Sequence, residues 1–342
     1  MSEFPQQTGA LDAWAAQHVE GYRGPSKAIK YSDGQSNPTY RIETPTQAYV
    51  LRAKPRGKLL KSAHMVEREF RVLRALATAG FPAPRALALC EDESVCGSVF
   101  YLMAHVDGRI FWDPGLPDSP KEERAGIYDA MNAGLAQLHA IDIAAAGLAD
   151  YGKPGNYFAR QTQRWTEQYR ASETEKVPDM DRLIDWLAAN MPPDDGRVSL
   201  VHGDFRIDNM IFARDSAKLL AVLDWELSTL GHPFADLAYQ CMQWRLPNAG
   251  EHRGLAGLDR AALGIPSDEE YIAAYCRRRG LDGVPHWPFL IACSFFRIAA
   301  IVQGVYKRAL DGNASNPQRG IKMGAAVPVM AKLAIEEVER AG

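Results

Sequence analysis

Three polar residues between positions 204 and 224 have the types and the spacing to act on one reaction. The run LVHGDFRIDNMIFARDSAKLLAVLDWE covers residues 200–226. In it Asp204 enters a loop behind an apolar, strand-like stretch, Asn209 follows in the same loop, and Asp224 ends a second apolar strand. A hairpin between the two strands returns the chain to its start, so Asp224 comes to lie beside Asn209. Moving a phosphoryl group from ATP needs a carboxylate to orient or deprotonate an acceptor hydroxyl. It also needs hard oxygen ligands that hold Mg2+ against the phosphates. Asp204 is placed for the first task, and Asn209 with Asp224 for the second. An amide beside a carboxylate binds the metal without stacking a second full negative charge against the phosphates. Asp and Asn are also ordinary turn residues, and each alone would say little; the joint order H-G-D-x-x-x-x-N, then an Asp ending an apolar strand, carries the reading.

Those residues need a scaffold, and the rest of the chain supplies an α+β one. A short amphipathic helix is expected over residues 11–22, then strands over 31–43 and 47–54, with the turn SDGQSNPT inside the first. In the second strand Val50, Arg52 and Lys54 share one face by the period of two. Residues 62–79 form a helix, with Val66, Phe70, Leu73 and Leu76 at three- and four-residue steps and Gly80 and Pro82 closing it. Strands over 85–90 and 99–103 flank the acidic turn EDES. Beyond AHVDGRIFWDPG the pattern becomes helical: residues 120–141, 157–172, 180–190, 234–244, 268–279, 288–309 and 318–339. Two short strands, 209–212 and 219–223, interrupt it. The division falls between a small β-rich part, residues 1–103, and a larger helical part, residues 104–342.

The 342 residues carry a net charge of −3, with no basic excess to attract nucleic acid or a membrane surface. No apolar run approaches the length of a membrane span, and the first residues show no secretory pattern. The five cysteines, at 90, 96, 241, 276 and 293, form no C-x-x-C pair. They read as the reduced thiols of a cytoplasmic protein, although Cys90 and Cys96 could face each other across a hairpin. There is no G-x-S-x-G for a hydrolase nucleophile. The acceptor is expected to be a small molecule, and the oligomeric state, monomer or homodimer, is left open.

HGDFRIDNMIF followed by VLDWE resembles the catalytic and metal-binding loops of the aminoglycoside phosphotransferase and choline kinase family, a branch of the protein-kinase-like fold. The resemblance implies a bilobal structure with a β-rich N-lobe and a helical C-lobe. By the same resemblance Asp204 is the catalytic base, Asn209 and Asp224 hold Mg2+, and His202 braces the loop. Arg206 either contacts the transferred phosphoryl group or pairs with a neighbouring acid. YSDGQSNPTYRI looks like the nucleotide-covering turn, with the backbone N–H groups of Gly34, Gln35, Ser36 and Asn37 facing phosphates. Arg52 stands where kinases place a strand lysine for the α- and β-phosphates, with Lys54 as second choice and Glu69 as its helix partner; Glu67 is the alternative partner, on a different face. FYLMAHVDG resembles the hinge between lobes, so Met103 would flank adenine and the backbone of Ala104, His105 and Val106 would bond its edge. Asp236 would brace the catalytic loop. No activation segment ending in A-P-E follows Asp224, as a protein kinase would have.

Over most of its length the chain is particularly similar to the kinase-like domain fused to some acyl-CoA dehydrogenases. That similarity implies a hydroxyacyl-CoA or hydroxy acid as phosphate acceptor. The other readings are an aminoglycoside or choline-type kinase and a nucleotide-binding pseudokinase. Polycations need an acidic site, whereas the late helices carry Arg297, Lys307, Arg308, Arg319 and Lys322, which also suit a solvated helical face.

Overall fold

A computed structural model describes residues 8–31, 37–55, 65–249, 253–313 and 316–341. Helix α1, Gly9–His18, leads into strands β1 (Lys27–Lys30), β2 (Thr39–Glu43) and β3 (Ala48–Ala53). Helix α2 (Val66–Thr78) follows, then β4 (Ala86–Cys90), the one-turn helix α3 (Glu93–Cys96) and β5 (Phe100–Ala104). The five strands form one antiparallel sheet in the order β1-β2-β3-β5-β4. The turn SDGQSNPT, expected inside one long strand, instead separates β1 from β2. The acidic EDES segment is helical because the Asp92 side chain accepts from the Ser94 N–H at 2.9 Å and Gly97 ends the turn at φ 77°.

Strand β3 shows how the sheet serves two cores. Tyr49, Leu51 and Ala53 pack with Leu11 and Ala15 of α1 on one face. Val50 shares the other face with Tyr101, Met103 and the α2 side chains Val72, Leu73 and Leu76. Each such apolar side chain contributes about 1.5–3 kcal/mol on burial. With both faces covered, the Arg52 guanidinium is held over the α2 side, toward the rest of the molecule.

The remaining chain is mostly helical: α4 (Lys121–Leu138), α5 (Tyr157–Ser172) and α6 (Pro178–Ala189), then β6 (Ser199–Val201), β7 (Met210–Phe212), β8 (Leu219–Val222) and β9 (Thr229–Gly231). Helices α7 (Phe234–Trp244), α8 (Arg260–Leu263), α9 (Asp268–Arg279), α10 (Trp287–Leu310), α11 (Pro317–Gly324) and α12 (Ala326–Ala341) complete it. The helix expected over 318–339 is two. Gly324 lies so close to the Tyr306 ring that an added Cβ would meet it at 2.6 Å, and the chain turns there. Helix α10, at 24 residues, is long and apolar enough to cross a membrane by length and composition, against the expectation that no apolar run approaches that length. Here it is a core helix, 67% buried over its most apolar window, packed against α5, α7, α11 and α12.

Candidate active site

Strands β6 and β9 pair, and β7 pairs with β8, so two short ladders frame the loop from His202 to Asn209. Asp236, in the first turn of α7 and 1% exposed, holds that loop from behind. Its Oδ2 accepts from the His202 N–H at 2.6 Å and its Oδ1 from the Gly203 N–H at 2.8 Å. Burial works to raise the Asp236 pKa, but His139, His202 and the donated N–H groups outweigh it and hold the carboxyl below its ordinary value. Gly203 has φ 85°, and a Cβ there would meet the Leu227 carbonyl at 2.8 Å, so the H-G-D step needs its glycine. His202 Nδ1 accepts from the Asp204 N–H at 3.1 Å while Nε2 lies 2.8 Å from the Leu223 carbonyl. This pattern is satisfied by the Nε2–H tautomer, with the ring bracing the loop rather than facing substrate.

The Asp204 carboxylate is held on both oxygens. Tyr239 donates its hydroxyl to Oδ1 at 2.7 Å, and the Asn209 amide nitrogen donates to Oδ2 at 2.9 Å and to the Asp204 carbonyl at 3.0 Å. Committing the nitrogen of Asn209 leaves its oxygen as the ligand atom. The Leu223 N–H donates to the Asn209 carbonyl at 2.7 Å, which sets Asp224 beside it through the hairpin. Asp224 sits in the left-handed region, φ 62° and ψ 65°, where a turn of 3-10 helix at Trp225–Leu227 begins. Such a conformation costs a non-glycine residue about 1–3 kcal/mol and re-aims its side chain off the strand.

That aim brings it to Arg52, whose Nη2 lies 2.7 Å from Asp224 Oδ1 and 3.2 Å from Glu226 Oε2. Its Nε is 3.0 Å from Glu69 Oε2. Three carboxylates therefore share one guanidinium, and Glu69 also accepts from Tyr101 at 3.1 Å and from Asn37 at 2.8 Å. Burial, outweighing the pull of Arg52 and reinforced by Asp224 and Glu226, pushes Glu69 up to about 7. The surplus of negative charge around Asp224 suits a divalent cation, which one or two protein oxygens plus phosphates can hold. Among the described residues no cluster of three or more His, Cys, Asp or Glu forms a metal cage, and such a site needs none.

Lys54 pairs instead with Glu67, so the two alternative partners expected on this strand and helix find each other, away from Arg52. Arg206 turns to Asp208 in a two-pronged ion pair. Burial works against its charge, while Asp208 and Asp204 hold its pKa above the ordinary value. The Asn37 side chain is buried on Glu69; Gly34, Gln35 and Ser36 lie outside the described residues. Met103 stands in register with Val50 and Ala86, giving an apolar patch across three strands on the cleft side. Of the three main-chain positions expected to bond the adenine edge, Ala104 donates its N–H to the Arg85 carbonyl at 2.9 Å. Among the described residues the main-chain groups of His105 and Val106 have no backbone partner and remain for that task.

Tyr239 and Glu226 escaped the sequence reading. The step from Asp236 to Tyr239 places both on one face of α7, a signal that was available. Arg297, read as a surface cation, lies 5.3 Å over the Tyr239 ring, behind the Asp204 contact. A larger surface cavity lies apart from these residues, beside His232 and Asp195, and a second, small cleft adjoins residues 206–208.

The chain matches the phosphotransferase enzyme family (APH) over residues 27–289. It is 51% identical over 294 residues to mouse acyl-CoA dehydrogenase family member 10, a match over 86% of this chain and 27% of that protein. Human acyl-CoA dehydrogenase family member 11 is 43% identical over 312 residues, 90% of this chain and 40% of that protein. The chain thus spans less than half the length of the curated relatives it matches. A crystal structure from Ralstonia eutropha, provisionally described as an aminoglycoside phosphotransferase, superposes with TM-score 0.88 at 48% identity, covering 98% of this chain and 99% of that one. A thermostable mutant of aminoglycoside phosphotransferase APH(4)-Ia, in ternary complex with ADP and hygromycin B, superposes with TM-score 0.62 at 16% identity over 96% of this chain and 98% of that one, and so shares the fold.

Proposed function

Since the chain belongs to the phosphotransferase enzyme family, with its β-rich N-lobe and helical C-lobe, we propose that it transfers the γ-phosphoryl group of ATP to a hydroxyl of a small hydroxy acid or hydroxyacyl thioester. The observation that carries this is Asp204. Its carboxylate is oriented by Tyr239 and Asn209, on a loop whose backbone Asp236 ties down. Asp204 accepts the hydroxyl proton, Arg52 meets the α- and β-phosphates, and the patch around Met103 covers the adenine. Asn209 and Asp224 would hold Mg2+, which would offset the negative charge of the phosphates. The acyl-type acceptor is supported by the names of the relatives above and by the scarcity of carboxylates along the cleft beside the loop.

Purified protein with ATP, Mg2+ and a panel of hydroxylated metabolites, read by ADP release, tests this. Asp204→Asn should keep nucleotide binding while turnover falls by roughly two or more orders of magnitude. Asp224→Ala should weaken Mg2+-dependent nucleotide binding itself. Turnover left intact in Asp204→Asn would overturn the assignment of Asp204 as the base, whereas nucleotide binding with no turnover on any acceptor would favour a nucleotide-binding pseudokinase.

A further inference from the structure

Helix α7 carries its polar residues on one stripe: Asp236, Tyr239, Gln240 and Gln243 recur at three- and four-residue steps. The first two hold the catalytic loop and its carboxylate. The next two have no part in that. Gln240 is 1% exposed, and its Oε1 accepts from the Tyr271 hydroxyl at 2.7 Å, which turns its amide nitrogen the other way. Among the described residues that nitrogen is buried without a hydrogen-bond partner, and so is the amide nitrogen of Gln243. An amide donor left unpaired out of water is a standing penalty, which a ligand oxygen relieves.

Both glutamines line the second cleft, with Arg206 and Asp208 of the catalytic loop on one wall and Trp112 and Trp244 on the others. The site lies beside the reaction centre, since Arg206, Ile207 and Asp208, on the loop between Asp204 and Asn209, line it. Its chemistry is selective. Asp208 is the single carboxylate lining it among the described residues, and Arg206 neutralises it. Trp112, 61% exposed, offers a large apolar surface at the mouth. A polycation would find no free negative charge here, whereas an acyl oxygen would find two amide donors in an interior of about 20 Å³, room for little more than that oxygen, with the exposed Trp112 indole outside it for the carbon chain.

We propose that this cleft is the acceptor site and that the amide nitrogens of Gln240 and Gln243 donate to a carboxylate or thioester-carbonyl oxygen of the acceptor. The proposal rests on the phosphotransferase reading and names its substrate class. With the acyl oxygen held on α7, the acceptor hydroxyl reaches Asp204. Its oxygen bonds to the γ-phosphorus, the bond from that phosphorus to the bridging oxygen breaks, ADP leaves with the electron pair, and the hydroxyl proton passes to Asp204.

The test uses straight-chain hexanoates hydroxylated at each carbon beyond the carboxyl, as free acids and as CoA thioesters, against the matched hexanols that lack the acyl oxygen. Wild-type kcat/KM should favour an acyl acceptor over its hexanol by about tenfold or more, because unpaired amides reject the analogue. The better of acid and thioester identifies which oxygen is held. Gln243→Leu should lose that preference, with the hexanol rate and acceptor-free ATP hydrolysis unchanged; Gln240→Leu should do the same if it melts near the wild type. Equal rates on acid, thioester and hexanol, or an equal loss on all three in Gln243→Leu, would overturn the acyl site and leave the kinase standing. Conversely, an acyl compound that raises the melting temperature of wild type but not of Gln243→Leu, with no ATP turnover, would sink the kinase and keep the site. Neither turnover nor Gln243-dependent binding with any acyl compound overturns the proposal.

Discussion

Replacing Asp236 by asparagine changes one atom and should loosen the whole catalytic loop. Both carboxylate oxygens now accept from main-chain N–H groups, at 2.6 Å from His202 and 2.8 Å from Gly203. The amide keeps one acceptor and points an NH2 group at the other donor, in a place that is 1% exposed. A hydrogen bond to a charged group contributes about 1.5–3 kcal/mol, and a buried donor left unsatisfied costs about 1–3 kcal/mol, so Asp236→Asn should lose about 3–5 kcal/mol. Urea unfolding followed by tryptophan fluorescence measures it as a lowered midpoint at unchanged slope. Because the loop carries Asp204, kcat should fall in protein that is still folded, with KM for ATP little changed. A loss below about 1 kcal/mol with kcat intact would refute the reasoning, since the two N–H groups would then be satisfied without the charge.

Arg52→Ala should weaken nucleotide binding and destabilise the fold by stranding Glu69, whereas Lys54→Ala should leave nucleotide affinity near the wild type; equal affinities in the two variants would mean the strand face was misread. Tyr239→Phe removes one of the donors that orient Asp204, and a bond of this kind is worth roughly a factor of 5–10 in kcat, read in steady-state kinetics with ATP binding unchanged. Burial holds His139 and His232 below the ordinary histidine pKa, against the pull of Asp236 and Asp195. The unfolded chain therefore takes up protons first, and stability should be lost as pH falls through about 6.5, by up to about 1.4 kcal/mol per pH unit for each ring. The depressed pKa of Asp236 extends the loss below the carboxylate range, with the same sign. Unfolding free energies between pH 7.5 and 5.5 should show the slope, and His139→Gln should flatten it; stability that rises on acidification would contradict the assignment.

Elements with local punctuation were legible in the sequence. Helices α7 and α9 span the expected residues because periodicity and caps agree: Ser267 and Glu270 close a capping box, and Gly280 ends α9 in the left-handed region. The pairing of Arg52 with Glu69 is the one that the family resemblance implied. What stayed hidden depends on tertiary encounters. Glu226 stands where kinases carry glycine, and only the fold shows it reaching Arg52. Asn37 was read for its backbone, yet its side chain is buried on Glu69 across the sheet. The division between α11 and α12 falls at Gly324, packed against the Tyr306 ring of another helix, a contact that no local pattern announces.

The five free cysteines divide the molecule for an experimenter. All five are buried thiols, and burial pushes those of Cys90, Cys241, Cys276 and Cys293 up, so the folded chain offers little thiolate to an alkylating reagent. Cys90 and Cys96 lie in the core between the sheet and α1, and the other three lie in the helical core. Each thiol becomes reactive when its own core opens. The order in which they are labelled is a built-in clock that times the breathing of the two lobes separately, with no probe added to the protein.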